Sequence, residues 1–152
     1  MVKLIISIFY LGFLPYAPGT FGSIATVFMG YWLQQFGGFP LLLGFSVTSF
    51  FLGWILTHQY LKTNMLTDDP QEIVIDELVG QLIAYLPISL YSWMYGLSIF
   101  SNSWTGWLLA LILFRTFDIW KPWPVRWADR KTNALGVMLD DVLAGLYAAS
   151  VI

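Results

Sequence analysis

Two pairs of adjacent acidic residues interrupt apolar stretches of the chain: Asp76 with Glu77, and Asp140 with Asp141. Carboxylates in apolar surroundings are costly unless they are paired or bind a metal ion. A favourable helix dipole is the competing explanation for Asp140 and Asp141, which would lie near the start of a helix. Because hard carboxylate oxygens in a chain without cysteine favour Mg²⁺ over zinc, we expect these four residues to be catalytic and to bind Mg²⁺.

A second acidic group precedes the first pair and has a local structural explanation. Asp69 fits the N-cap of a helix, Pro70 its first position and Glu72 its third, which together form a capping-box pattern. A helix starting there would place Asp76 and Glu77 beyond its first turn, where capping does not account for them. Glu72 and Asp76, four residues apart, would repel each other unless a cation bridged them. Asp69 and Glu72 are therefore also candidate metal ligands.

A basic segment rich in tryptophan and proline follows the apolar stretch 104–117. Its candidate phosphate-binding residues are Arg115, Lys121, Arg126 and Arg130. Pro122 ends the preceding helix, and guanidinium groups bind phosphate through paired hydrogen bonds. The alternative is local ion pairing of Arg115 with Asp118 and of Arg126 with Asp129. Asp118 is also a candidate metal ligand.

A glycine-rich loop, residues 17–23, precedes a predicted helix. Gly19 lets the backbone approach a ligand closely, and a helix N-terminus offers free N–H groups that suit phosphate. The hydroxyl groups of Thr20 and Ser23 add further donors. We therefore expect Gly19, Thr20 and Ser23 to bind substrate, with Ser23 as a simple helix N-cap as the alternative.

The elements that must position these residues are those of a membrane protein. Of the 152 residues, 58% are hydrophobic and 11% are charged, whereas soluble domains are about 25% charged. The absence of cysteine excludes disulfides and cysteine nucleophiles, and no basic arm indicates nucleic-acid binding. The composition favours one membrane-embedded domain, residues 1–152.

Six apolar stretches divide the chain, and a straight membrane span needs about 20 residues. They cover residues 4–14, 23–36, 39–59, 73–100, 104–117 and 137–152. The first is too short to span. The predicted fold is all-α: a polytopic membrane helical bundle with about four to five membrane helices and a short re-entrant or interfacial N-terminal helix.

Charge alternates along the links between these stretches. Gly37-Gly38 and residues 98–103 carry none, whereas residues 60–77 and 115–141 hold all nine acidic residues and every basic residue except Lys3. If the stretches pair as helical hairpins, the charged links share one face of the membrane. The positive-inside rule makes that face cytoplasmic.

Four motifs in this order closely resemble the phosphatidylglycerophosphatase A family of bacteria, over nearly the whole chain. They are Pro18-Gly19-Thr20-Phe21-Gly22-Ser23, Ile75-Asp76-Glu77-Leu78-Val79-Gly80, the run from Phe114 to Pro124, and Gly136-Val137-Met138-Leu139-Asp140-Asp141. The resemblance implies a Mg²⁺-dependent phosphatase of the bacterial inner membrane. Its substrate would be the phospholipid phosphatidylglycerophosphate, converted to phosphatidylglycerol.

The residues and the resemblance together suggest a mechanism. The acid pairs would hold one or two Mg²⁺ ions, with Asp69, Glu72 or Asp118 assisting, and a water molecule would attack phosphorus. The four cations would balance charge on the phosphate. A covalent aspartate nucleophile is the alternative within this scheme. The rival classes are a small ion- or proton-coupled transporter and a structural membrane subunit.

Overall fold

The computed structural model describes residues 1–65, 70–97 and 104–152, and over these residues every regular element is helical. The prediction of an all-α fold is confirmed for this part of the chain. The helices are α1 (Val2–Ile6), α2 (Pro18–Asn64), α3 (Ile75–Met94), α4 (Trp104–Trp120), α5 (Val125–Asp129) and α6 (Ala134–Val151), with a 3-10 turn at Leu11–Phe13.

Helix α2 is interrupted at Gly38, whose backbone is not helical (φ 61°, ψ −155°). Residues with a side chain rarely adopt this positive φ, so glycine suits the break. A Cβ at Gly38 would also overlap the indole ring of Trp93, near the C-terminal end of α3. The break therefore divides α2 into a first half, residues 18–37, and a second half, residues 39–64.

The two halves of α2 form a hairpin against α3. Gly19, at the start of the first half, lies against Glu77 in the first turn of α3. Gly53, in the second half, lies against Ile75 at the same end of α3. Because the break between the halves sits at the opposite end of α3, the chain must run along α3 and return. The predicted hairpin around Gly37-Gly38 is confirmed.

Helices α3 and α6 approach each other closely through two glycines. A Cβ at Gly145 would overlap the carbonyl of Gly80, and a Cβ at Gly80 would overlap the carbonyl of Asp141 and the ring of Phe114. Small residues allow helix backbones to come this near. The contact brings the acidic pair of α6 beside the acidic pair of α3.

Helix α4 runs in the direction opposite to α3. Trp107 near its start stacks on Tyr85, with ring centroids 4.2 Å apart, and the buried Phe114 near its end reaches Gly80. This direction carries Arg115 and the residues that follow it to the end of the bundle where α3 begins.

The predicted helix start at Pro70 is wrong. Helix α3 begins at Ile75, so Asp76 and Glu77 lie in its first turn and not beyond it. The preceding segment is held by other contacts, because the Val74 N–H donates to the carbonyl of Ile6 at 2.8 Å. The capping-box pattern failed because a tertiary contact with the N-terminal segment replaced the expected helical turn.

Among the described residues, two helices, α2 and α6, are long and apolar enough to cross a membrane by length and composition. The prediction of four to five membrane helices is therefore not confirmed. Large apolar side chains nevertheless remain exposed along α2, and contiguous exposed apolar surface is typical of membrane or partner contact. The most exposed of them are Phe28, Trp32, Phe36, Phe51 and Ile55.

We expect the substitution Gly145→Ala to destabilise the bundle, because the added methyl group meets the Gly80 carbonyl. Overpacking of this kind costs about 1–3 kcal/mol. Gly44→Ala is the matched control, since a Cβ at Gly44 meets nothing within 4 Å. Thermal unfolding of the purified variants in detergent should show a lower midpoint for Gly145→Ala alone. Equal midpoints would contradict the close α3–α6 contact.

Candidate active site

A cavity of about 350 Å³ lies where α2, α3 and α6 begin and α4 ends. Most of the residues that the sequence singled out meet here, although they come from four separate helices and a loop. The predicted residues in its wall are Gly19, Thr20, Asp76, Glu77, Arg115, Asp118, Lys121, Asp140 and Asp141.

The acidic pairs of α3 and α6 form one cluster in this cavity. Asp76, Glu77 and Asp141 each place a carboxylate oxygen within 4.8 Å of the others. Asp76, Asp140 and Asp141 are only 5%, 5% and 4% exposed. Within the described residues, Glu77 Oε2 and Asp140 Oδ1 are buried without a hydrogen-bond partner. Such atoms are costly unless a cation or solvent satisfies them.

The donor set of this cluster fits a divalent cation. The cavity wall contains five carboxylates and two cationic side chains, so buried negative charge exceeds positive charge. Buried ions of like sign are stable only when an opposite charge compensates them. The free carboxylate oxygens are hard ligands of the kind that Mg²⁺ and Ca²⁺ bind. The helix dipole is not an alternative explanation for Asp140 and Asp141, because the first turn of α6 contains no acidic residue.

Arg115 projects into the cavity from the last turns of α4. Its Nη1 atom lies 2.7 Å from Asp118 Oδ2, so the local ion pair expected from the sequence is confirmed. Among the described residues, Arg115 Nε is buried without a hydrogen-bond partner. Arg115 therefore combines a guanidinium group held by Asp118 with a further N–H donor that has no partner among the described residues.

Lys121 follows the end of α4 and has a left-handed backbone (φ 47°). Its ammonium group bonds to Asp140 at 2.9 Å and also to Asp129. Burial by itself lowers the pKa of Lys121, but the hydrogen bonds and charges of Asp129 and Asp140 outweigh burial and raise it above the ordinary value. Lys121 therefore stays cationic at neutral pH.

The pairing of Lys121 with Asp129 corrects the expected pairing of Arg126 with Asp129. Arg126 and Asp129 do lie at helical spacing within α5, but Asp129 binds Lys121, which precedes that helix. The turn between the two helices folds Lys121 back toward α5. No regular spacing in the sequence signals such a contact.

The glycine-rich loop forms the start of α2, which begins at Pro18 and not near Ser23. The expectation that Ser23 caps this helix is therefore wrong; its buried hydroxyl donates to the Gly19 carbonyl at 2.9 Å. The Thr20 N–H donates to the Ala17 carbonyl at 3.0 Å, so that N–H is not free for phosphate. Gly19 matters through its missing side chain, because a Cβ there would overlap the Glu77 carboxylate.

Other predicted residues lie outside this cavity. Glu72 accepts a hydrogen bond of 2.6 Å from the hydroxyl of Tyr60 and is not in the cavity wall. Arg126 and Arg130 line a neighbouring cavity that shares Lys121 with this one. Asp69 lies outside the described residues.

The cavity wall also contains residues that the sequence did not single out. They are Ala17, Pro18, Gln71, Ile73 and Pro70, the last of which was expected only to start a helix. Ala17 and Pro18 belong to the glycine-rich loop, and Pro70, Gln71 and Ile73 lie in or next to the capping-box pattern, so proximity to those patterns was the available signal. The last three reach the wall from the turn before α3, which the sequence pattern misassigned as helix.

The chain is similar in sequence to several proteins that are named for a phosphatase activity. A phosphatidylglycerophosphatase A of Haemophilus influenzae is 39% identical over 137 residues, covering 90% of this chain and 77% of the relative. A phosphatidylglycerophosphatase A of Escherichia coli is 32% identical, covering 93% of this chain and 75% of the relative. A Bacteroides thetaiotaomicron protein, provisionally named a phosphatidylinositol-3-phosphatase, is 33% identical over 90% of this chain and 82% of its own length.

No solved structure matches the chain. The sequence profile of the family described as phosphatidylglycerophosphatase A matches residues 4–152. This match includes all four motifs and every described residue of the acidic cavity wall. The chain therefore belongs to the phosphatidylglycerophosphatase A family.

Proposed function

We propose that this protein hydrolyses phosphatidylglycerophosphate to phosphatidylglycerol and phosphate, with Mg²⁺ as its cofactor. The observation that carries the proposal is the cluster of buried carboxylates beside Arg115 and Lys121 in one cavity. A phosphomonoester needs cations around its oxygens, and its hydrolysis needs an activated nucleophile. Family membership and the names of the relatives support the same activity.

The carboxylates are the proposed metal ligands. Asp76, Glu77 and Asp141 would hold Mg²⁺, with Asp140 beside them and Asp118 assisting from its pair with Arg115. Bound there, Mg²⁺ would supply a Lewis acid that polarises the phosphate oxygens and favours an activated water molecule. The two unpartnered carboxylate oxygens in the cavity support this assignment.

The cationic residues stabilise the charge of the phosphate. The unpartnered Nε donor of Arg115 would bind a phosphate oxygen directly. The Asp118 carboxylate holds the guanidinium group in place. Lys121 contributes a positive charge at neutral pH, because its bonds to Asp129 and Asp140 offset the effect of burial and raise its pKa. Thr20 and the backbone at Gly19 line the same cavity and would contact the headgroup.

The membrane arrangement is part of the proposal. The exposed apolar surface of the helices supports a multi-pass bundle in the bacterial inner membrane. The acidic cavity, with Lys121 beside it, would then open at the cytoplasmic face, where the positive-inside rule places the basic loop.

A phosphate-release assay across lipid substrates tests the activity. Purified protein in neutral detergent should release phosphate from phosphatidylglycerophosphate with Mg²⁺ and not after chelation. The panel should include phosphatidylinositol 3-phosphate, because of the name of one relative. No release from any lipid would favour the transporter or structural-subunit alternatives, and ion flux in vesicles would separate those two.

The substitution Asp141→Asn should lower kcat/KM at least about a hundredfold, because even groups that only support a metal ligand contribute about 10–100-fold. Without Mg²⁺, Asp141→Asn should unfold at a higher temperature than the wild type, because the cost of burying that acidic group among other carboxylates is removed. With Mg²⁺, the wild type should gain more stability than the variant. Thermal unfolding with and without Mg²⁺ provides this readout independently of activity.

Glu72→Gln is the control for that experiment, because Glu72 binds Tyr60 and does not line the cavity. We expect it to keep nearly the wild-type rate and the full stabilisation by Mg²⁺. A folded Asp141→Asn variant with undiminished turnover would remove Asp141 from the site. A strong loss in Glu72→Gln would restore Glu72 as a candidate ligand.

The choice between water and an aspartate nucleophile can be decided in a single turnover. If water attacks phosphorus, phosphate released in ¹⁸O-labelled water carries one labelled oxygen after one turnover. With a covalent aspartyl phosphate, attack of water at the acyl carbon places the label in the carboxylate and releases unlabelled phosphate in the first turnover. Attack of water at phosphorus labels the phosphate as direct hydrolysis does, but by either route the phosphoaspartate can be trapped by acid quench. Trapping that intermediate would overturn the direct attack by water.

The orientation can be tested with single cysteines, since the chain has none of its own. A cysteine at Ser101, which lies outside the described residues, should react with an impermeant thiol reagent in intact spheroplasts, in which the outer face of the inner membrane is accessible. A cysteine at the exposed Thr132, in the basic link before α6, should react only after permeabilisation. The reverse pattern would invert the proposed orientation.

A further inference from the structure

A second cavity of about 730 Å³ adjoins the acidic one, and it is basic and aromatic. Its wall contains four cationic residues and three tryptophans, and no carboxylate belongs to the described wall. The cations are Lys121, Arg126, Arg130 and Lys131. Lys121 is already paired with Asp129 and Asp140, which lie outside this wall, so Arg126, Arg130 and Lys131 supply the positive charge that attracts an anion without help from a metal ion.

The short helix α5 builds this cavity. Val125 and Ala128 are fully buried, which anchors the helix to the bundle. Arg126 and Arg130, one turn apart, therefore project together from the opposite, exposed side. Lys131 lies over the ring of Trp127, with its Nζ atom 3.7 Å from the centroid, so this cation is held at the cavity wall.

Lys121 joins the two cavities. Its ammonium group bonds to Asp140 in the acidic cavity, at 2.9 Å, while the side chain also forms part of the basic wall. A ligand with two anionic groups a short distance apart could therefore occupy both cavities across Lys121. A ligand with one anionic group could occupy only one of them.

The substrate in the proposed function has two such groups. Phosphatidylglycerophosphate carries a terminal phosphomonoester, which is hydrolysed, and an internal phosphodiester on the other side of a single glycerol unit. The diester lies nearer the acyl chains, at the depth where exposed tryptophans reside in a membrane. Trp120 and Trp123, in the basic cavity wall, are 65% and 78% exposed.

Resting on that function, we propose that the basic cavity is a second anion subsite, in which Arg126 and Arg130 bind the phosphodiester of the substrate. The terminal phosphate then lies among the acidic residues. The subsite makes the enzyme selective for lipids with both phosphates over lipid monophosphates. The arginines act in binding and specificity, and the groups of the acidic cavity act on the reacting phosphate.

The test compares two lipids with matched acyl chains in neutral detergent micelles with Mg²⁺. Phosphatidylglycerophosphate, with both phosphates, is followed by its KM. Phosphatidate carries the monoester alone, and its affinity is measured as the inhibition constant for hydrolysis of phosphatidylglycerophosphate. This constant can be measured whether or not phosphatidate is itself hydrolysed. The variants are Arg126→Gln, Arg130→Gln and their combination, and Lys62→Gln, an exposed cation outside both cavities, is the charge-matched control.

The double variant should raise the KM for phosphatidylglycerophosphate about tenfold or more, since charge-assisted bonds to phosphate are the strong ones. Its kcat should change little, and the inhibition constant of phosphatidate should stay at the wild-type value. Lys62→Gln should match the wild type in all three quantities. Each single variant should show part of the effect, which keeps the test valid if the double variant unfolds.

Two results would overturn this proposal. Equal weakening of both lipids would mean that the arginines bind the shared phosphomonoester. A loss confined to vesicles of anionic lipid, with normal KM in neutral micelles, would mean that they only bind the bilayer surface. A wild-type protein that does not hydrolyse phosphatidylglycerophosphate at all would instead contradict the proposed function.

Discussion

Mutual repulsion among buried and partly buried carboxylates is the constraint on which the site depends. Five of them line a cavity that holds two cationic side chains, and three place oxygens within 4.8 Å of one another. Folding must supply compensation, because buried charge of one sign is otherwise unstable. The structure shows part of it in the ion pairs of Arg115 and Lys121. The proposed metal ion would supply the rest and would turn this strain into affinity for a phosphate.

The helix packing explains how such a cluster can be assembled. Gly80 and Gly145 bring α3 and α6 together, and the missing side chain of Gly19 makes room for Glu77. Side chains at these positions would force the helices apart and separate the acidic pairs. The same absence of side chains that brings the helices close therefore also sets the spacing of the carboxylates.

Lys121 has a role that neither cavity explains alone. It stands at the end of α4, where the chain turns through a proline-rich segment, and it bonds to carboxylates from α5 and α6. This bridge fixes the basic segment against the acidic cluster. In the proposed function, it lies between the phosphate that is cleaved and the phosphate that is retained.

The amino-acid sequence by itself determined the helical class, the reversal at Gly37-Gly38 and most residues of the acidic cavity. These depend on residue type and local pattern: apolar stretches, an uncharged pair of glycines between two of them, and carboxylates in apolar surroundings. The contacts between one motif and another could not be predicted from these local patterns.

Tertiary structure decided the contacts between motifs. The contact of Val74 with Ile6 moved the start of α3 to Ile75. Glu72 binds Tyr60, which is twelve residues away in the sequence. Asp129 binds Lys121, which lies on the other side of a turn. Helical spacing describes only neighbours within one helix, so it identified the chemical groups of the site but not all of their partners.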